Sequence, residues 1–145
     1  MEISEVARLC HKAIRQFSKA IGEVGYLTWA EADQDFVASQ VMFVLSHEDA
    51  TPKDLHNEFL KRARSLGWTH GPKLDESALQ DPGVISFEEL PPTDRTKYRL
   101  FIGVARALAP HEPKVRAHGD AFNWNPSLRK SHWMTILERE SYDWI

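Results

Sequence analysis

The residues best equipped for chemistry are gathered in one short stretch, Gly67-Trp68-Thr69-His70-Gly71-Pro72-Lys73-Leu74-Asp75. An aromatic ring, an imidazole, an ammonium and a carboxylate stand around two glycines, where backbone can approach a ligand closely. Loops held between helices commonly carry binding groups. The competing reading makes Trp68 a core residue and Lys73 a solvated charge. Covalent chemistry has no comparable foothold. The chain contains no Gly-rich nucleotide loop, no H-E-x-x-H, no G-x-S-x-G and no Asp-rich calcium loop. None of its seven histidines pairs with another at the i, i+4 spacing of a helical zinc site. Cys10 and His11 are adjacent, so on a helix they point about 100° apart. Asp54 and His56, two residues apart, do not face each other either. The expectation is a non-enzyme with no metal and no cofactor.

Four helices must position that stretch. Ile3, Val6, Cys10, Ala13, Ile14, Phe17 and Ile21 recur at spacings of three and four and predict an apolar stripe. Arg8, Lys12, Arg15 and Lys19 fall on its wetter side, and Cys10 reads as a small core hydrophobe. Thr28 with Glu31 has the form of a capping box and predicts a second helix reaching His47 through Phe36, Val37, Val41, Val44 and Leu45. Thr51, Pro52 and Asp54 predict the cap and first turn of a third helix. Leu55, Phe59, Ala63 and Leu66 share its face, and Gly67 supplies a left-handed stop. The helical period then disappears until Ser86, with turn chemistry at Gly71-Pro72 and Asp81-Pro82-Gly83 and a very short extended piece at Val84–Phe87. A fourth helix spans 92–108, with Tyr98, Phe101, Ile102, Ala105 and Leu108 as its buried stripe.

Composition sets the outer bounds. A chain of 145 residues, 42% hydrophobic and 10% aromatic, has the material for one domain with a real core, which excludes wholesale disorder. Eighteen Lys+Arg against twenty-one Asp+Glu give a charge of -3, so no global field draws the protein to nucleic acid or an anionic membrane. Cys10 is the only cysteine, which excludes an internal disulfide and a Cys-rich zinc site and suits a reducing cytoplasm. Met1–Glu5 lacks the basic start and apolar run of a signal peptide. No stretch approaches the roughly 18–20 apolar residues that cross a bilayer. A cytoplasmic protein is expected, without nucleic-acid or membrane partners.

The region 55–108 resembles the RyR domain, the repeat of ryanodine receptors that also occurs as small stand-alone proteins of bacteria and phages. His56, Arg62, Gly67-Trp68, Gly71, Asp75, Pro82, Val84-Ile85, Leu90-Pro91, Arg95 and Lys97 follow that family's pattern in order. Val6–His11 and Ser46–Pro52 are similar to the leading half of the phage-type proteins. Phe59, His70, Leu74, Leu79, Asp81, Ser86-Phe87 and Tyr98 depart from the family's usual residues. The resemblance implies a mainly helical fold and a non-catalytic sensor of small molecules, with nucleotide-derived signals the favoured class. An adenine ring would stack on Trp68 or Phe87, while Lys73, Arg95, Lys97 and Arg99 would meet phosphate oxygens. Arg95 and Arg99 are four apart, so both could reach one anion; the alternative pairs them with Asp94 or Glu88 on a solvated surface.

The expected architecture is all-α: an RyR-like domain at 1–108 and a tryptophan-rich helical extension at 109–145. The expected site comprises Trp68, His70, Lys73, Asp75, Phe87, Arg95, Lys97, Tyr98 and Arg99. Its ligand would be a small anion such as an adenine nucleotide or an ADP-ribose-like signal. If the gene is viral, the protein would work in the host cytoplasm by sequestering a defence signal. On this reading Trp68→Ala keeps its fold and loses ligand. Asn125-Pro126 restarts a helix in the extension, which carries Trp124, Trp133 and Trp144. Those rings would fold back on the domain, join a second copy in a homo-oligomer, or hold a partner peptide. The oligomer reading, with no ligand, is the alternative function.

Overall fold

The computed structural model describes residues 1–109. The expected Asn125 helix and the three tryptophans of the extension lie outside the described residues. Within them the fold is mainly helical and no sheet forms. The order is α1 (Ile3–Ala20), α2 (Gln34–Ser46), α3 (Pro52–Ser65), a 3-10 turn at Phe87–Glu89, and α4 (Pro92–Leu108). No helix among the described residues is long and apolar enough to cross a membrane.

α1 lies against both α2 and α4. Its buried face is Val6, Ala7, Cys10, His11, Ile14, Arg15 and Ser18, turned slightly from the expected stripe, so that Ile21 is 42% exposed. Arg15, expected on the wet side, is buried instead. The connector after α1 packs against His11 on this face: Tyr26 and Leu27 are buried, and His11 Nε2 donates to the Leu27 carbonyl at 2.7 Å.

α2 begins later than its sequence signal suggests. Glu31 does accept from the Thr28 backbone N–H at 3.2 Å and its hydroxyl at 3.0 Å, but that turn ends at Ala32. The effective cap is Asp33, whose carboxylate accepts from Phe36 N–H at 3.1 Å. α3 follows its local code closely. Thr51 and Asp54 form a reciprocal capping box, with Pro52 in the first turn. At its far end Gly67 adopts φ +89. The Gly67 N–H bonds Arg64 O at 3.1 Å and Trp68 N–H bonds Ala63 O at 2.9 Å, a Schellman stop that turns Trp68 inward.

The segment between α3 and α4 is irregular yet tightly fastened. Thr69 N–H bonds Leu79 O and Asp81 N–H bonds Thr69 O, at 2.9 and 3.0 Å. Asp75 and Gln80 exchange two backbone bonds at 2.9 and 3.0 Å. The extended piece expected at Val84–Phe87 does not form. Ser86 donates to Glu89 at 2.8 Å and the chain closes into the 3-10 turn instead. One core joins Ile14, Phe36, Leu55, Phe59, Trp68, Tyr98 and Phe101 across all four helices.

Candidate functional site

The stretch from α3 to α4 is organised around His56. This α3 side chain is buried, with Nε2 2.7 Å from the Ile85 carbonyl and Nδ1 2.7 Å from the Tyr98 hydroxyl. A carbonyl only accepts, so Nε2 carries the proton and Nδ1 accepts from the phenol. Burial pushes the His56 pKa below its ordinary value. The neutral ring therefore ties α3 to α4 and to the chain entering the 3-10 turn. Phe87 packs beside it, 6.2 Å from the His56 ring and 6.3 Å from Tyr98.

Three of the nine expected site residues are structural. Trp68 is 1% exposed and sits in the shared core, so its indole offers no stacking face. Trp68→Ala is consequently no clean binding probe: emptying such a site costs roughly 3–5 kcal/mol. Tyr98 is fully buried, its hydroxyl on His56. Lys97 is fully buried too, with Nζ 2.6 Å from Glu23 and 3.4 Å from Asp94, and 5.7 Å from the Tyr26 ring centre. Those carboxylates and that ring satisfy the ammonium that was expected to meet phosphate.

The other six lie nearer the surface. His70, Lys73 and Arg99 are exposed, while Asp75, Phe87 and Arg95 are half-buried. Asp75 organises its own turn, accepting from the Ser77 hydroxyl at 2.6 Å and from the Ser77 and Ala78 N–H groups at 3.1 Å. These bonds, the Ser77 hydroxyl first, hold its carboxyl below the usual range. Gly71 does not open the loop to a ligand. A Cβ there would stand 2.6 Å from Gln80 Cβ, so a neighbouring side chain uses that space. No hydrogen bond or ion pair among the described residues joins His70 or Lys73 to α4. Arg95 is tied to the 3-10 turn: its Nη1 donates to the Glu88 carbonyl at 3.3 Å, one residue along the chain from the half-buried Phe87. Glu88 and Asp94 do not neutralise the arginines. The Glu88 carboxylate is 2.9 Å from Lys53, and Asp94 faces Lys97.

No family model, no curated protein and no solved structure matches the chain.

A second region was not anticipated. Between α2 and α3 lies a hollow of about 440 Å³, walled by Phe43, His47, Asp49, Asp54 and Glu58 among others. A smaller one of about 20 Å³, walled by Gln40, Phe43, Glu58 and Arg62 among others, adjoins it. None of the nine expected residues lines either. No group of His, Cys, Asp and Glu among the described residues has the arrangement to hold a metal ion. The overlooked signal was Gln40, an amide at the i+4 position from Phe36 on an otherwise apolar face.

Proposed function

We propose that the chain is a non-enzymatic binding domain for a small anionic ligand, held where α4 meets the 3-10 turn. The supporting observation is electrostatic. Glu88 and Asp94, the carboxylates best placed along the chain to neutralise Arg95 and Arg99, pair with Lys53 and Lys97 instead. No ion pair among the described residues involves either arginine. Two arginines one helical turn apart, with Arg95 tied to the same 3-10 turn that carries the half-buried Phe87, suit an anion that carries a flat ring. A nucleotide-derived signal of the adenine or ADP-ribose kind has both parts, in keeping with the RyR-like pattern of 55–108. Lys73 is a further exposed cation and His70 an exposed imidazole, neither with a fixed role. The scaffold beneath is rigid because His56 fastens Tyr98 and the Ile85 carbonyl. For a viral gene, holding such a ligand would mean sequestration.

Calorimetry of the full chain with AMP, cyclic AMP and ADP-ribose tests this. At least one should release heat, and Arg95→Ala with Arg99→Ala should weaken it roughly 10- to 100-fold, as loss of charge-assisted hydrogen bonds requires. Silence across the panel, or an unchanged affinity in the double variant, rejects the assignment.

A further inference from the structure

The groove between α2 and α3 combines features that the anion site does not use. Its larger hollow, about 440 Å³, falls within the size of small-molecule pockets. No ion pair among the described residues involves Asp49, Glu58 or Glu48, three of the carboxyl residues that line it. Asp54, a fourth, is held below the usual carboxylate range by its bonds to Thr51, so it stays charged. One neighbouring cation is otherwise engaged: Arg106 donates to the Glu48 and Ala50 carbonyls at 2.7 and 3.0 Å.

An acidic wall alone would mean little, but Gln40 adds an independent observation. It is 4% exposed, and neither its Oε1 nor its Nε2 has a hydrogen-bond partner among the described residues. A buried amide left without hydrogen bonds is a standing cost to the fold that a polar ligand group can relieve. Gln40 borders the smaller hollow, whose 20 Å³ admits one water or one small polar group. Phe43 and Glu58 belong to the walls of both hollows, so the two lie side by side along the groove. The Phe43 ring is stacked on His47 at 4.4 Å, which gives the groove an apolar side.

We propose that this groove binds a small linear organic amine whose far end is a neutral polar group. The ammonium lies among Asp49, Asp54 and Glu58, the carbon chain runs along Phe43, and the far end meets Gln40. That end is neutral for two reasons. Gln40 presents both a donor and an acceptor, which a hydroxyl or amide answers together and an ammonium does not. Arg62 also borders the smaller hollow and repels a second cation.

The test uses the full chain, a series of linear amino alcohols of increasing length, and the matching alkylamines and alcohols. Binding is followed through the Gln40 and Asn57 side-chain amide resonances and the Phe43 backbone amide. One amino alcohol should shift all three and bind at least about tenfold tighter than its matched amine or alcohol, the worth of one hydrogen bond to a buried group. Glu58→Gln with Asp49→Asn should weaken it about tenfold or more while leaving the neutral alcohol unaffected. Gln40→Met, close in volume, should abolish the advantage of the hydroxyl. The proposal fails if no compound moves the resonances, or if the three classes bind alike. It fails equally if Gln40→Met keeps the preference, since Gln40 would then be answered by a structural water.

Discussion

His11 sits with Nε2 on the Leu27 carbonyl and its ring 5.5 Å from both Tyr26 and Trp29. Burial lowers its pKa from 6.5 to about 4, and the nearby Arg15 charge pushes the same way against the opposing effect of the Leu27 bond. The unfolded chain therefore binds a proton between pH 6.5 and about 4 that the folded chain excludes. Stability must fall as the pH drops through that window, by the order of 3 kcal/mol from this residue alone. His56 titrates in the same direction, so the His11 share is a difference between variants. Urea unfolding of the parent and His11→Gln at several pH values should show the variant losing less stability across this window. Glutamine retains a donor for the Leu27 carbonyl without the titration. Parallel pH profiles would mean that His11 is protonated in the folded protein.

The elements are joined by one polar tie that their helical periods conceal. Lys97 of α4 reaches Glu23 in the connector after α1, seventy-four residues away, and Asp94 one turn back. Burial raises the Asp94 pKa despite Lys97, so this carboxyl stays charged chiefly because the ammonium is there. Lys97→Met should cost about 1–3 kcal/mol at neutral pH, the usual result of leaving partly buried carboxylates without their partner. The loss should shrink in acid, where Asp94, its pKa raised by burial, takes up a proton; an equal loss at both pH values would assign the effect to packing of the lysine stem. This tie also marks where sequence reasoning stops. α3 was legible from end to end because Thr51, Pro52, Asp54 and Gly67 act on their near neighbours. The start of α2 was misread because Thr28–Glu31 and Asp33–Phe36 offer competing caps within a few residues, and both make their bonds. Lys97 and Trp68 looked like ligand groups because a residue's type does not disclose a partner that the fold brings from far along the chain. The α4 arginines were legible as a pair, but their independence from Glu88 and Asp94 depended on Lys53 and Lys97. Gln40 stood on an apolar stripe in plain sight, its meaning hidden until α3 closed the groove.

At the scale of the described molecule, α1 lies against both α2 and α4 and closes the bundle over them. Cys10 lies in that seam, fully buried, with its thiol 3.8 Å from the Phe101 carbonyl. Burial pushes its pKa up to about 12, so the thiolate needed for reaction is scarce as well as shielded. The single cysteine should thus report opening of the seam between α1 and α4. Labelling with a disulfide reagent under native conditions should be far slower than in urea and should follow the unfolding equilibrium where reclosing is fast. Rapid native labelling would reveal local opening well below the global stability. The same probe discriminates the two sites without assuming their ligands. A compound bound only to the folded state at 100 times its Kd adds about 2.7 kcal/mol and slows labelling about 100-fold. A nucleotide acting through α4 should lose that protection in the Arg95→Ala, Arg99→Ala protein, whereas an amino alcohol in the α2–α3 groove should keep it there and lose it with Glu58→Gln and Asp49→Asn. Neither site touches Cys10, so protection can arise only through the cooperative stability of the fold, and cross-sensitivity of the two variants would show that the grooves are not separate.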